Sequence, residues 1–119
     1  MKILIVDDSS TVRSALESDG HVILEAPDGV LALAALESQA PIDAVILDWN
    51  MPVLNGFDCL QRIRADPAHN RTKVVMCTTE AEKSRVMRAI KGGANGYVIK
   101  PIDAETLKAQ LAKVCGAPV

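Results

Sequence analysis

The sequence predicts an open α/β fold, a doubly wound sheet of five parallel strands with helices on both faces. Three observations point there. Short runs of Val, Ile and Leu, about five residues each, alternate from end to end with longer stretches of helical period. The short runs show little polar alternation, which suits strands covered on both faces. Each helical stretch also closes on a readable stop signal. Strands separated by helices return parallel, through right-handed crossovers.

The elements follow in order. Lys2 to Val6 is the first strand, and Ser10 to Ser18 the first helix, stopped by Asp19-Gly20. His21 to Ala26 is the second strand. Asp28 caps a helix over Val30 to Gln39, which ends before Ala40-Pro41. Asp43 to Leu47 is the third strand, and Gly56 to Ala65 the helix after it, closed by Asp66-Pro67. Lys73 to Cys77 leads to a helix over Ala81 to Lys91 that ends at Gly92-Gly93. Gly96 to Ile99 is the last strand. Asp103 caps the final helix, Ala104 to Cys115, with Gly116 at its end. No linker or repeat interrupts the pattern, so residues 1–119 are expected to form one domain.

Composition narrows the function classes. The chain has 119 residues, 49% of them hydrophobic, yet only one Trp, one Phe and one Tyr. A chain of this length buries roughly two-thirds of its unfolded surface and needs no staple. Its core must be aliphatic. Thirteen Lys plus Arg stand against fifteen Asp plus Glu, for a formal net charge of −2. That balance speaks against nucleic-acid binding and against a polybasic membrane anchor. No apolar run approaches the ~20 residues that cross a bilayer, and Asp7 comes too early for a signal-peptide core. Cys59, Cys77 and Cys115 form no Cys-x-x-Cys pair, so they read as reduced thiols in a cytoplasmic protein.

Ligands of open parallel sheets bind beyond the carboxyl ends of the strands. There the first strand delivers Asp7 and Asp8, the third Asp48, the fourth Thr78 and Thr79, and the fifth Lys100. The second strand ends in Ala26-Pro27 and offers no chemistry. Three carboxylates at one rim repel each other unless a cation joins them. Oxygen ligands in a shallow, wet site favour Mg²⁺. Lys100 and a threonine hydroxyl beside the metal suit an anion, so the set describes a phosphoryl site with an aspartate nucleophile.

Taken singly, each residue has an ordinary reading. Asp7 and Asp8 suit the first turn of a helix. Asp48 can simply end a strand, Thr78 start a loop and Lys100 sit at the surface. Their coincidence at one end of consecutive strands carries the argument.

These residues also resemble a known family. Ile5-Val6-Asp7-Asp8-Ser9-Ser10-Thr11, Leu47-Asp48-Trp49-Asn50-Met51-Pro52 with Gly56, Cys77-Thr78-Thr79-Glu80, and Gly93-Ala94-Asn95-Gly96-Tyr97-Val98-Ile99-Lys100-Pro101 follow one another as in receiver domains of two-component response regulators. The match spans essentially the whole chain and is nearest to single-domain chemotaxis regulators of the CheY type. The resemblance implies a flavodoxin-like receiver fold in which Asp48 accepts a phosphoryl group from a phosphohistidine of a histidine kinase. It implies a Mg²⁺ shell of Asp7, Asp8, Asp48 and the backbone carbonyl of Asn50, with Lys100 pairing the phosphate and Thr78 closing on it. The Lys100-Pro101 bond is a candidate cis peptide on the same ground.

By the same resemblance Tyr97 is the aromatic switch that turns inward as Thr78 moves. The output face is expected on the fourth helix, fifth strand and fifth helix, at Lys83, Val86 and Tyr97, with Lys108 and Gln110 in support. Otherwise Tyr97 is a half-buried strand aromatic, Lys83 a solvated charge and Val86 core packing. The resemblance further implies that Asn50 and Glu80, two residues beyond Asp48 and Thr78, flank the path of hydrolytic water, so that their polarity gives a short phosphorylated lifetime. One departure stands out: the first helix is about four residues shorter than the family usually has, or ~6 Å of helix.

The expected activity is therefore that of a monomeric signalling module, not an enzyme with a separate substrate. It catalyses its own phosphorylation and dephosphorylation and acts on a protein target, such as a flagellar motor switch or another signalling protein. A phosphate sink and a kinase-feedback regulator are alternatives. A haloacid-dehalogenase-like phosphatase would want Asp-x-Asp after the first strand, where this chain has Asp7-Asp8-Ser9. In a flavodoxin-like flavin carrier, acids at the first loop would repel the flavin phosphate.

Overall fold

The computed structural model describes residues 1–6, 10–39, 41–50, 53–78, 83–100 and 102–116, without the side chains of residues 10, 11 and 83. The element order is β1 (Lys2–Val6), α1 (Ser10–Ser18), β2 (Val22–Glu25), α2 (Gly29–Ser38), β3 (Ala44–Asp48), α3 (Gly56–Ala65), a 3₁₀ turn (Pro67–His69), β4 (Lys73–Thr78), α4 (Lys83–Lys91), β5 (Gly96–Ile99) and α5 (Ala104–Cys115). All strand pairs are parallel, in the order β2-β1-β3-β4-β5.

The near-continuous apolar runs of β1, β3 and β4 are explained by two cores, one on each face of the sheet. Leu4, Val6, Val45, Leu47, Val74 and Met76 pack with Ala32 and Leu36 of α2, Cys59, Leu60 and Ile63 of α3, and Ala89 of α4. Their strand neighbours Ile3, Ile5, Ala44, Ile46, Val75, Cys77 and Val98 pack with Val12 and Leu16 of α1 and Leu107 and Leu111 of α5. Successive strand residues point to opposite faces, so both must be apolar. Each fully buried Leu or Ile contributes roughly 1.5–3 kcal/mol.

The expected caps are present. Leu31 N–H donates to Asp28 Oδ1 at 2.9 Å, and Thr106 N–H to Asp103 Oδ2 at 3.0 Å. Gly116 ends α5 in the left-handed region, at φ 66°. All three cysteines are thiols outside any disulfide, and burial pushes the Cys59 thiol up to about 11, which makes it a poor nucleophile.

Two expectations change. β2 is shorter than His21 to Ala26 and is not covered on both faces; Val22 is 58% exposed. The reason is its place at the sheet's edge, a position its apolar sequence does not disclose. β3 and β4 each run one residue further than expected, so that Asp48 and Thr78 are ladder residues rather than loop residues. The part of the fourth helix expected over Ala81 and Glu82 lies outside the described residues.

At the amino end of the sheet, Arg64 closes the turn after α3. Its guanidinium donates to Gly93 O (2.8 Å), His69 O (3.1 Å), Thr72 O (2.9 Å) and Asn95 Oδ1 (2.8 Å). That Asn95 oxygen also accepts Val74 N–H at 2.9 Å, which ties the clasp to the start of β4. Burial lowers the Arg64 pKa from its ordinary value. Gly93 has φ 107°, and a Cβ there would come within 2.7 Å of Arg64 Cγ.

Candidate functional site

The carboxyl ends of β1, β3 and β4 lie side by side, because Val6 pairs with Leu47 and Asp48 with Cys77. Asp48 is the last residue of β3 and 9% exposed; Thr78, the last of β4, is 3% exposed. A β-ladder that continues to its final residue fixes both backbones. Trp49 N–H extends it with a bond to Cys77 O at 2.9 Å.

Lys100 follows β5 directly, and its own N–H donates to Thr78 O at 2.7 Å. From there its ammonium reaches across β4 to Asp48 Oδ2, at 2.8 Å. The other carboxylate oxygen, Oδ1, accepts Asn50 N–H at 3.1 Å. The pair is largely but not wholly enclosed: side-chain exposure is 22% for Lys100 and 13% for Asp48. An ion pair so placed is held by geometry and is only partly exposed to solvent.

α3 presses on this loop. Gly56 N–H donates to Trp49 O at 2.9 Å, and a Cβ on Gly56 would lie 2.1 Å from Asp48 O. Only glycine permits that approach. Between them Val53 takes φ 69° and is 80% exposed, an unfavourable conformation for a β-branched residue.

The structure thus brings Asp48, Thr78, Lys100 and Asn50 to one rim. Asp7, Asp8 and Glu80, with Pro101 and the cis bond expected before it, lie outside the described residues. Asp7 follows in sequence directly on Val6, the register neighbour of the residue before Asp48. Among the described residues no group of three acidic, histidine or cysteine side chains forms a metal cluster. The donors that are described, the Asp48 carboxylate and the Asn50 main chain beside it, are oxygen-based and suit a hard cation such as Mg²⁺.

Of the residues expected on the output face, Tyr97 is 39% exposed on the edge strand β5, opposite Met76. Val86 is half-buried, and the Lys83 side chain lies outside the described ones. Lys108 pairs with Asp19 at 3.1 Å and so braces α5 against the end of α1.

Sequence reasoning missed a cluster next to the site. Trp49 is 8% exposed and stacks on Phe57, with ring centroids 5.4 Å apart. The Arg85 guanidinium lies 5.4 Å from the Trp49 ring centre and that of Arg88 4.6 Å from Phe57. Each such contact contributes about 0.5–2 kcal/mol. The sequence showed only that Arg85 and Arg88, three residues apart, share one helix edge; nothing in it set that edge against Trp49 and Phe57.

Residues 3–112 match the family described as response regulator receiver domain. The chain is 40% identical over 121 residues to the chemotaxis protein CheY1 of Helicobacter pylori strain J99, covering 98% of each chain. The chemotaxis response regulator CheY4 of Vibrio cholerae superposes with a TM-score of 0.86 at 35% identity, over 95% of this chain and 97% of that one. A receiver domain of the sensor histidine kinase PA1611 from Pseudomonas aeruginosa, solved with a magnesium ion coordinated in its active-site cleft, superposes with a TM-score of 0.86. It is 28% identical, and the match covers 98% of both chains.

Proposed function

Since the chain belongs to the response regulator receiver domain family, we propose that Asp48 is its phosphoacceptor and that chemotaxis is the pathway it serves. The observation that carries this reading is the Asp48–Lys100 pair: a mostly buried carboxylate at a strand end, 2.8 Å from an ammonium supplied by another strand. In the transfer, an Asp48 oxygen forms the new O–P bond as the N–P bond of a kinase phosphohistidine breaks. The imidazole leaves with its electron pair. Phosphoryl transfer asks mainly for alignment and charge neutralisation. Lys100 supplies a fixed positive charge for the phosphoryl oxygens, and the Thr78 hydroxyl a donor on the adjacent strand. Asp7, Asp8, Asp48 and the Asn50 carbonyl would hold Mg²⁺, which neutralises phosphoryl charge when bound.

The same proposal makes the protein its own catalyst rather than an enzyme with a separate substrate. A histidine kinase donates; the output target is a protein met through Val86, Lys83 and Tyr97. A monomer working in the cytoplasm is the matching form. Among the described residues no helix is long and apolar enough to cross a membrane. Asn50 and Glu80 are assigned to the hydrolytic path, so apolar replacements there should change the dephosphorylation rate.

The test is direct. With Mg²⁺ and a small phosphodonor such as acetyl phosphate, intact-mass spectrometry should show one added phosphoryl group, and Asp48→Asn should show none. Incorporation that survives Asp48→Asn would overturn the assignment.

A further inference from the structure

α4 is a thinly anchored helix. Its sequence, KSRVMRAIK, has no Leu or aromatic residue, and Ala89 is its one buried side chain among those described. Met87 and Ile90 are about half exposed, at 53% and 48%. What seats the helix is the ring pair beside the acceptor. Arg85 lies over Trp49 and Arg88 over Phe57. At the helix end, a Cβ on Gly92 would meet Phe57 Cε1 at 3.3 Å. Positions 85, 88 and 92 fall on one helical edge, so this whole edge of α4 runs along Trp49 and Phe57.

The rings in turn are fixed to the acceptor. Trp49 is covalently next to Asp48, and its own N–H and C=O are both bonded, to Cys77 O and Gly56 N–H. Asp48 Oδ1 holds the amide of Asn50, on the far side of Trp49. A group added to the Asp48 carboxylate therefore acts on the backbone at both sides of the indole. The indole between those two points is the ring that Arg85 of α4 covers, at 5.4 Å from its centre.

We propose that Arg85 is a positioning residue that couples the Asp48 carboxylate to the seating of α4, through Trp49 and independently of Thr78 and Tyr97. Arg88 on Phe57 is the second point of the same attachment. This rests on Asp48 being the phosphoacceptor. A planar guanidinium over an indole restricts the helix in tilt as well as distance, which a lysine would do less well. Loss of Arg85 leaves α4 in place on Ala89 and Arg88 but removes its register with the acceptor loop.

The experiment is amide hydrogen exchange on the intact protein with Mg²⁺, with and without beryllofluoride, read over residues 44–56, 83–91 and 96–99. In the wild type all three segments should respond. In Arg85→Gln the 44–56 and 96–99 responses should remain while the 83–91 response is lost, and Trp49 emission should differ from wild type even without beryllofluoride. A merely structural role for Arg85 would alter exchange in α4 equally in both states. If Arg85→Gln does not fold, Arg85→Lys gives the same reading, with an α4 response smaller than wild type. An undiminished α4 response alongside a responding 44–56 segment overturns the coupling alone. A wild type in which 44–56 is silent, with no phosphoryl group on Asp48, overturns the acceptor assignment and the coupling with it.

Discussion

The two ends of the sheet handle charge in opposite ways. At the amino end, Arg64 spends its guanidinium on four oxygens, three of them main-chain carbonyls, and Gly93 leaves no room between. At the carboxyl end, among the described residues, Asp48 has one ammonium on one oxygen and a longer amide bond on the other, and the pair is partly exposed. The first arrangement is a finished network that fixes the 3₁₀ turn, the start of β4 and the loop before β5. The second is a partly exposed ion pair, the place where the proposed function puts the phosphoryl group. Under the proposed function, one fold separates the charge that holds the chain together from the charge that does chemistry.

That separation can be broken experimentally, and the largest effect tests it most sharply. Asp48→Asn should abolish phosphoryl incorporation while leaving the melting temperature the same or higher, because it relieves the repulsion expected between Asp48 and the carboxylates of Asp7 and Asp8 at the same rim. A large loss of thermal stability in that variant would mean that the carboxyl end also carries structure. Gly56→Ala is the converse at the same end. A Cβ at 2.1 Å from Asp48 O cannot be met by a side-chain shift, so urea unfolding should show a loss of about 3 kcal/mol and phosphorylation should fail with it. Arg64→Met should cost roughly 2–3 kcal/mol in the same measurement, as several carbonyls lose a charged donor. At a temperature where this variant is folded, phosphoryl incorporation should be retained; its loss would contradict the division of labour.

Two smaller effects refine the comparison. Val53→Asn removes a β-branched, largely exposed residue from the left-handed region, and should stabilise by about 1 kcal/mol. His21 lies at the amino end, where its Nδ1 is 3.1 Å from the Met1 ammonium and its Nε2 is buried with no hydrogen-bond partner among the described residues. Burial first, then the Met1 ammonium, lowers its pKa below the ordinary 6.5; Lys108 adds to this and Asp19 opposes it. The unfolded chain then binds the proton more readily. Stability should therefore be full above pH 6.5 and decline as the pH falls from there towards the lowered folded value. In His21→Gln that slope should flatten, as read by thermal melts across the range.

The site was legible to different depths. Asp48, Thr78 and Lys100 could be placed at one rim because parallel strands joined by helices all deliver their carboxyl ends to the same side. The Arg85–Trp49–Phe57–Arg88 cluster could not, since it depends on how far α4 leans over α3. The separation in sequence between rings and guanidiniums says nothing of that tilt.

By itself, then, the sequence determined which runs are strands, which caps stop the helices, and which polar residues stand at the strand ends. Local hydrogen bonding and apolar period act over a few residues, and the chain carries them openly. The tertiary structure decided what depends on neighbours distant in sequence. It made β2 an exposed edge despite its apolar composition, brought Lys100 within 2.8 Å of Asp48, and set two arginines on two of the three rings. Each of these comes from strand order and helix packing, where the free energy belongs to the contact between elements and to neither element alone.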